Sequence, residues 1–499
     1  MVESNEVENQ RLLDVSELSG SSSVLGGDTR NSSKSSLSAV YTFNLIIGVL
    51  VSCLSSVQYG YHMSELNAPE AVYTCQKSVP LGEYKDSWFG KRGIPQCITL
   101  SNSEIGIVTS IFSIGGLLGS IYAGKLLDKF GRKRLFIVNS FFFIIGSMVE
   151  TFSKNYYQLL IGRLISGIGA GSGIVVTPLY INEISPLELR GTLGSMNQVS
   201  INVGILLTQL LAISWSNDEQ WRFILLFGSA LGTLNLFGAF LIIDESPKWL
   251  TINGFKEKDL LTLMKLRNSD LTRCQLEIED WKQQQLQQAT VGNELSFIKY
   301  FTLPQYSEPR KVVDVVMVGQ QFCGINSIIF YGVKVLVSLF PNSSIMINCF
   351  ISVINAVVTF GASLFIDKLG RKPMLLSSVS VMCLASIGIG SGILLNLSSL
   401  TVLSTFLYVG SFAIGLGPIP FLIIPEVTQN EAKGIAQSYG TTLNWLATFA
   451  VGYLFPILNE AIGGLVYFIF ASVCVAFFTF TYYKIPETKN KNGFEQVWR

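Results

Sequence analysis

Charge is scarce in this sequence. Asp, Glu, Lys and Arg make up 14% of 499 residues, against about one quarter in soluble domains. The 35 basic and 34 acidic residues leave a net charge of +1, so there is no basic field for nucleic acid. The single His argues against a His-based metal site or a His-containing catalytic set. Eight Cys in a chain this long do not make a disulfide scaffold. A hydrophobic fraction of 49% and a mean hydropathy of +0.44 put the chain in the membrane class.

Residues 1–37 are polar and Ser-rich and lack the apolar core of a secretory signal, so they read as a disordered cytosolic tail. Twelve apolar runs follow, near 38–61, 104–124, 135–152, 157–180, 193–213, 222–243, 312–336, 345–366, 374–395, 402–424, 435–456 and 461–483. Each is about the 20 residues that a bilayer-crossing helix needs. The fold class is therefore all-α integral membrane, with twelve transmembrane helices in two six-helix halves and a cytosolic helical insert. The halves are 38–250 and 309–484, the insert is 251–308 and a short tail is 485–499. Within the insert, Lys256–Lys265 and Leu276–Gln288 have the pattern of amphipathic helices.

Lys125, Lys129, Arg132, Lys133 and Arg134 crowd the loop between spans 2 and 3, and Lys368, Arg371 and Lys372 the loop between spans 8 and 9. The excess of positive charge on the inner side of membranes then puts both termini in the cytosol. Cys75 and Cys97 share the long loop on the opposite side, either bridged or as two free thiols. The sequons at Asn342 and Asn396 fall on that side too.

The halves repeat. Asp128-Lys-Phe-Gly-Arg-Lys recurs as Asp367-Lys-Leu-Gly-Arg-Lys, 239 positions later. Glu183 with Arg190 recurs as Glu426 with Lys433, and Glu245-Ser-Pro-Lys as Glu487-Thr-Lys, at offsets of 243 and 242. Two parallel six-helix halves make a transporter architecture with its site near mid-membrane between them. Asp128, Arg132, Glu183, Arg190, Glu245, Asp367, Arg371, Glu426 and Lys433 all fall at cytosolic span ends. Arg163 differs: it lies within span 4, where a charge needs a partner, and Glu183 and Glu426 are the candidates by position.

Amides gather inside the spans. Gln198 is in span 5, Gln320, Gln321 and Asn326 in span 7, Asn355 in span 8, and Asn444 beside Trp445 in span 11. An amide both donates and accepts, as a sugar hydroxyl does, and binds a neutral ligand without charging the cavity. The other reading of each amide is glue between helices. On a straight helix Asn326 points about 140° from Gln321. Gly324 between them permits the bend that would let them share a face.

These motifs, in order, resemble the sugar porters of the major facilitator superfamily, the relatives of the glucose transporters, over about residues 38–490. The resemblance rests on Gly124-x-x-x-Asp128-Lys-x-Gly-Arg-Lys133, Gly162-Arg163, Pro178-x-Tyr-x-x-Glu183-Ile-x-Pro-x-x-x-Arg190-Gly191, Gln198, Glu245-Ser-Pro-Lys-Trp-Leu250, Gln320-Gln-x-x-Gly-Ile-Asn326, Gly417-Pro-Ile-Pro420 and Pro486-Glu-Thr-Lys489. It implies alternating-access transport of a hexose or related polyol, with no cofactor and no enzymatic step. It implies sugar contacts at Gln198, Gln320, Gln321, Asn326 and Asn355, a gate at Tyr331, and charged pairs that close the cytosolic side.

The sequence departs from the glucose transporters at Phe421, where they have Trp, and at Phe330, Ala413 and Thr448, where they have Tyr, Glu and Asn. Each change removes hydrogen-bonding capacity. The pocket is expected to be more apolar there, which keeps another small neutral solute, such as an inositol, open. A sugar receptor on the same fold is the other reading, but only about 16 residues follow the last span, too few for the long signalling tail usual in such receptors. His62 aligns with an Asp of the proton-coupled porters, so His62 or Glu65 is a candidate for proton coupling; the alternative is a hydrogen-bonded interfacial His.

The tail carries Glu8-Asn-Gln-Arg-Leu12-Leu13, an acidic dileucine pattern of the kind read by adaptor complexes. The segment Tyr61-His-Met-Ser-Glu-Leu-Asn-Ala-Pro69 also resembles fungal sugar-porter-like proteins of the vacuolar membrane. A vacuolar or lysosomal membrane is therefore expected, with the plasma membrane as the alternative. The expected partners are a small neutral sugar or polyol, membrane lipid and an adaptor complex, without nucleic acid, and the expected form is a monomer.

Overall fold

The computed structural model describes residues 41–76, 84–186, 189–267, 270–290, 297–337, 339–363, 365, 369–489, 491 and 494–498; at 287–290 and 430 it describes the backbone only. Glu8, Leu12, Leu13 and Asp367 therefore lie outside the described residues. Among the described residues, twelve long apolar helices carry the fold. They are α1 (Phe43–Ser64), α2 (Asn102–Phe130), α3 (Arg132–Thr151), α4 (Tyr156–Ile184), α5 (Arg190–Trp215) and α6 (Trp221–Leu241), then α7 (Pro304–Val337), α8 (Ser344–Ser363), α9 (Arg371–Leu394), α10 (Ser398–Val427), α11 (Lys433–Ile462) and α12 (Val466–Lys484). The last two share one apolar stretch divided at Gly463–Leu465. This is an all-α integral-membrane fold, as expected. Between α6 and α7 the described insert forms helices Pro247–Ile252, Lys258–Leu266, Leu271–Thr290 and Phe297–Thr302.

The packing repeats along with the sequence. Helix α1 packs on α4, α5 and α6, as α7 packs on α10, α11 and α12. Likewise α2 packs on α4 and α3 on α6, matched by α8 on α10 and α9 on α12. The two sets meet chiefly along α2 with α11 and along α5 with α8, contacts that the repeat exchanges.

The motif residues explain how each half turns a corner. Helices α3 and α9 begin just after Gly131 and Gly370, which hold φ of +86° and +94°. A Cβ at either glycine would strike the carboxylate of Glu245 or Glu487. Glu245 accepts the backbone N–H of Arg132 at 2.6 Å, and Glu487 that of Arg371 at 3.1 Å. Each carboxylate thus caps N–H groups that have no partner inside the helix, where the helix dipole favours negative charge.

The end of the bundle that carries the insert is called the insert face below, and the other end the disulfide face. Cys75 and Cys97 are bridged there, which resolves the two readings of that pair.

Candidate functional site

Helix α7 is broken. It runs as Ser307–Phe322, halts at Cys323-Gly324 with Gly324 at φ +95°, and resumes as Ile325–Val337. A Cβ at Gly324 would lie 2.5 Å from the ring of Phe470, so glycine is required for both its φ and its space. The break does what a straight helix forbids. Asn326 donates from Nδ2 to Gln321 Oε1 at 2.5 Å.

The chain of amides continues. Gln321 Nε2 lies 3.3 Å from both Gln320 Oε1 and Asn444 Oδ1. Asn444 Nδ2 donates to Gln320 Oε1 at 2.7 Å and to the Met317 carbonyl at 3.1 Å. Gln320 Nε2 reaches the carbonyls of Leu416 and Gly417 at 2.8 and 3.0 Å. These carbonyls lie at the end of a π-helical turn of α10, Phe412–Leu416, where the helix ladder is already disrupted. The broken α7, the distorted α10 and the continuous α11 therefore converge on four amides, and Asn326 Oδ1 has no partner.

The other expected residues divide. Trp445 is buried beside Asn444 with its ring edge on Tyr59, 5.9 Å between centroids, which places it between the halves. Asn355 joins a separate group, with its Nδ2 3.4 Å from Asn202 Oδ1, while Asn202 donates to Thr359 at 2.7 Å. That group links α5 to α8. Gln198 is half-buried one turn from Asn202. Phe421 packs against the buried cluster that contains Tyr300, Tyr306 and Met317. Thr448 bonds its own helix at the Asn444 carbonyl, 2.8 Å away. Tyr331 sits at a kink in α7, φ −134°, and donates to the Gly452 carbonyl at 2.7 Å.

At the disulfide face the chain beyond α1 closes against α7. Asn67 Nδ2 donates to the Ile329 carbonyl at 2.8 Å, and Asn67 Oδ1 accepts from Val333 N–H at 3.0 Å. Lys334 Nζ binds Glu70 at 2.6 Å and Asn102 at 3.1 Å. Burial pushes the Glu70 carboxyl above its ordinary value, and Lys334 pulls it back.

At the insert face the charged motifs pair within each half. Arg132 grips Glu183 through two bonds of 2.7 and 2.8 Å. Arg371 grips Glu426 through bonds of 2.9 and 3.2 Å, and Thr488 donates to the same carboxylate at 2.5 Å. Burial pushes the Glu245 carboxyl up, opposed by the N–H groups it accepts. Asp128 is exposed; its backbone carbonyl accepts the Trp249 indole at 3.0 Å. Arg190 opens α5 beside Lys248, Arg273, Glu277 and Asp280, and Lys433 opens α11 half-buried.

The expected partner of Arg163 is corrected. Its Nη1 binds Glu65 Oε1 at 2.6 Å and the His62 carbonyl at 2.7 Å, not Glu183 or Glu426. Glu183 stands on the same helix 20 residues away, about 30 Å along the axis. Glu426 is occupied by Arg371 and Thr488. His62 Nδ1 lies 3.0 Å from Glu65, and its ring stacks on Phe143 at 5.2 Å. Glu150, which sequence reasoning missed, completes the group and accepts from Ser166 at 2.7 Å. His62, Glu65, Glu150 and Arg163 are all 0% exposed.

Residues 48–498 match the family described as sugar (and other) transporter. The chain is 47% identical to the probable metabolite transport protein YBR241C of Saccharomyces cerevisiae, covering 92% of this chain and 95% of that protein. It is 41% identical to vacuolar protein sorting-associated protein 73 of the same yeast, with coverage of 89% and 94%. Facilitated glucose transporter member 3 of Oryctolagus cuniculus is 30% identical, with coverage of 91% and 92%. The fold matches the inward-open xylose transporter XylE of E. coli at a TM-score of 0.73 and 22% identity, over 91% of this chain and 99% of that one. The broken α7, the two repeated halves and the motifs that cap them are those of a chain that belongs to the sugar (and other) transporter family.

Proposed function

We propose that this protein moves a neutral hexose or related polyol across a membrane by alternating access. The observation that carries the reading is the amide chain Asn326–Gln321–Gln320–Asn444 at the break of α7. It offers donors and acceptors without net charge, as a polyol requires. Gln198 and Asn355 on α5 and α8, with Trp445 and Phe421, complete the site. The family description and the rabbit glucose transporter support the same ligand class. Thr448 spends its hydroxyl on its own helix and Ala413 has none, which keeps another small neutral solute, such as an inositol, as the second reading.

The halves 38–250 and 309–484 are the moving bodies, and the insert face is cytosolic. The Arg132–Glu183 and Arg371–Glu426 pairs, with Asp128, Arg190, Glu245, Asp367 and Lys433, form the cytosolic latch. Tyr331 gates the other side. The vacuolar membrane is the site of action, a reading supported by the dileucine pattern and by the name of the second yeast relative. The purified full chain in liposomes tests the function against a labelled panel of hexoses and polyols. Counterflow of at least one is expected, and counterflow of none overturns the reading. Fluorescence of the intact tagged protein at the plasma membrane overturns the vacuolar assignment.

A further inference from the structure

We propose that the last helix of the insert, Phe297–Thr302, lies in the bilayer surface at the insert face rather than in water. Its partner is lipid. Phe297, Ile298, Phe301 and Leu303 enter the boundary between headgroups and acyl chains. This holds whatever ligand the bundle carries.

The helix has three distinct sides. At about 100° per residue, Phe297, Phe301 and Ile298 fall within an arc of about 100°, with Tyr300 on one flank and Lys299 about 150° from the centre of the arc. Phe297 and Ile298 are 56% and 72% exposed, and Phe301 and Leu303 are exposed as well. Tyr300 is fully buried and Lys299 is exposed. Four exposed apolar side chains within seven positions make a patch, unlike the single ones that protein surfaces scatter. Leu276 and Leu286 on the long insert helix are of the scattered kind, ten positions apart among Glu, Gln and Lys. An apolar arc opposite a Lys is the pattern of a helix lying in a membrane interface. Four partly exposed side chains fall well short of the roughly 800 Å² per partner of a stable protein interface. Lipid needs no minimum area.

The helix is also held at the right depth. Pro304 opens α7 two residues after it ends. Tyr300 lies against Tyr306 and Tyr439, with ring centroids 5.7 and 6.2 Å away, and Phe301 meets Tyr439 edge-on at 5.0 Å. Arg310 Nη1 donates to the carbonyls of Tyr300 and Phe301 at 3.0 and 2.8 Å, and its guanidinium lies 5.2 Å from the Phe301 ring. It thus serves carbonyls that the helix end leaves open. Arg310 and Lys311 are the last basic residues of α7 before Lys334, and basic residues of that kind mark where a span leaves the headgroups. Lys484, which ends α12, acts electrostatically on Glu308 near the start of α7. Beside Lys484, Tyr482 and Tyr483 are exposed, as rings of an interfacial belt are. The helix, Arg310 and this ring pair share one level of the bundle. Through Tyr300 the lipid contact ties the insert to α7 and α11.

The test uses the full chain in phosphatidylcholine vesicles with a nitroxide on one introduced cysteine: Ile298→Cys, Lys299→Cys or Leu276→Cys. The native free thiols are buried or half-buried, and wild type treated in the same way supplies the blank. Collision with oxygen, which concentrates in lipid, is compared with collision with a water-soluble nickel chelate. The oxygen-to-chelate ratio at position 298 is expected to exceed that at 276 and at 299 by several-fold. A ratio at 298 equal to that at 276 means water and overturns the proposal. Exclusion of both reagents at 298 means a protein neighbour, either a second copy or another chain, and overturns it as well. A ratio at 299 as high as that at 298 removes the assigned face and the proposal with it. If Ile298→Cys does not fold, Phe297→Cys reads the same arc with the same outcomes.

Discussion

The side-chain amide of Asn67 stands where Ile329 and Val333 would otherwise bond each other. In a regular helix the Val333 N–H would donate to the Ile329 carbonyl. Here the kink at Tyr331 separates them, and Asn67 accepts from the first at 3.0 Å and donates to the second at 2.8 Å. Asn67→Ala leaves two buried backbone groups unpaired, a penalty of about 1–3 kcal/mol each. Closure of the disulfide face should weaken by about tenfold or more. A cysteine placed at Ser327, probed with a thiol reagent from that side, should react faster in the variant by that factor. Equal rates would show that Asn67 does not hold the gate.

The Lys334–Glu70 pair also closes this face, with the Glu70 side chain only 6% exposed. Removing one partner leaves a charge with little water, so Lys334→Ala should cost more closure than a surface pair would. The reversed pair Glu70→Lys with Lys334→Glu should restore most of it. A reversed pair as open as the single variants, by the same labelling assay, would mean that the contact does not depend on charge.

The twelve spans were legible because bilayer thickness and helix rise dictate long apolar runs, and the two halves because their motifs recur at nearly one offset. The meeting of Asn326 with Gln321 was legible as a condition, since Gly324 permits the bend that brings them to one face. The partner of Arg163 was not. Proximity in the motif pointed to Glu183, but a helix carries its residues apart along its axis. The useful signal was charge embedded in apolar sequence. Glu150 sits at the end of span 3 and Lys334 in span 7, and both needed a partner by the logic applied to Arg163. Asn202 resembled any other amide in α5; its pairing with Asn355 and Thr359 depends on how α5 meets α8.

Gly324→Ala tests whether the amide chain needs the break. The added methyl group meets the Phe470 ring at 2.5 Å and a φ of +95°, a conformation disfavoured for any L side chain by about 1–2 kcal/mol. Transport should fall by more than tenfold while the protein still reaches its membrane. Gln320→Ala and Asn326→Ala should do the same without the backbone strain. Full transport in Gly324→Ala would separate the break from function.

Arg163→Met should lower thermal stability in detergent sharply. Breaking a buried ion pair costs about 3–5 kcal/mol, because the surviving charge stays buried without compensation. Adding Glu65→Leu removes that charge and should recover a large part of the loss. A double variant no more stable than Arg163→Met would show that Glu65 is not the partner that matters.

Cys274 gives a test of the insert alone. It is buried with Leu263, Ile278 and Trp281, and burial, with Glu277 nearby, pushes its thiol up to about 11. The folded insert therefore favours the neutral thiol. At pH 8.5 its thiolate fraction is roughly 100-fold below that of an ordinary thiol. The stability gained by burying the neutral thiol is present below the ordinary thiol value and declines as pH rises from there towards 11. Alkylation with iodoacetamide, read by peptide mass spectrometry, should be slow at Cys274 in the native protein and rapid in denaturant. Equal rates in both would mean that the insert opens on the timescale of the reaction.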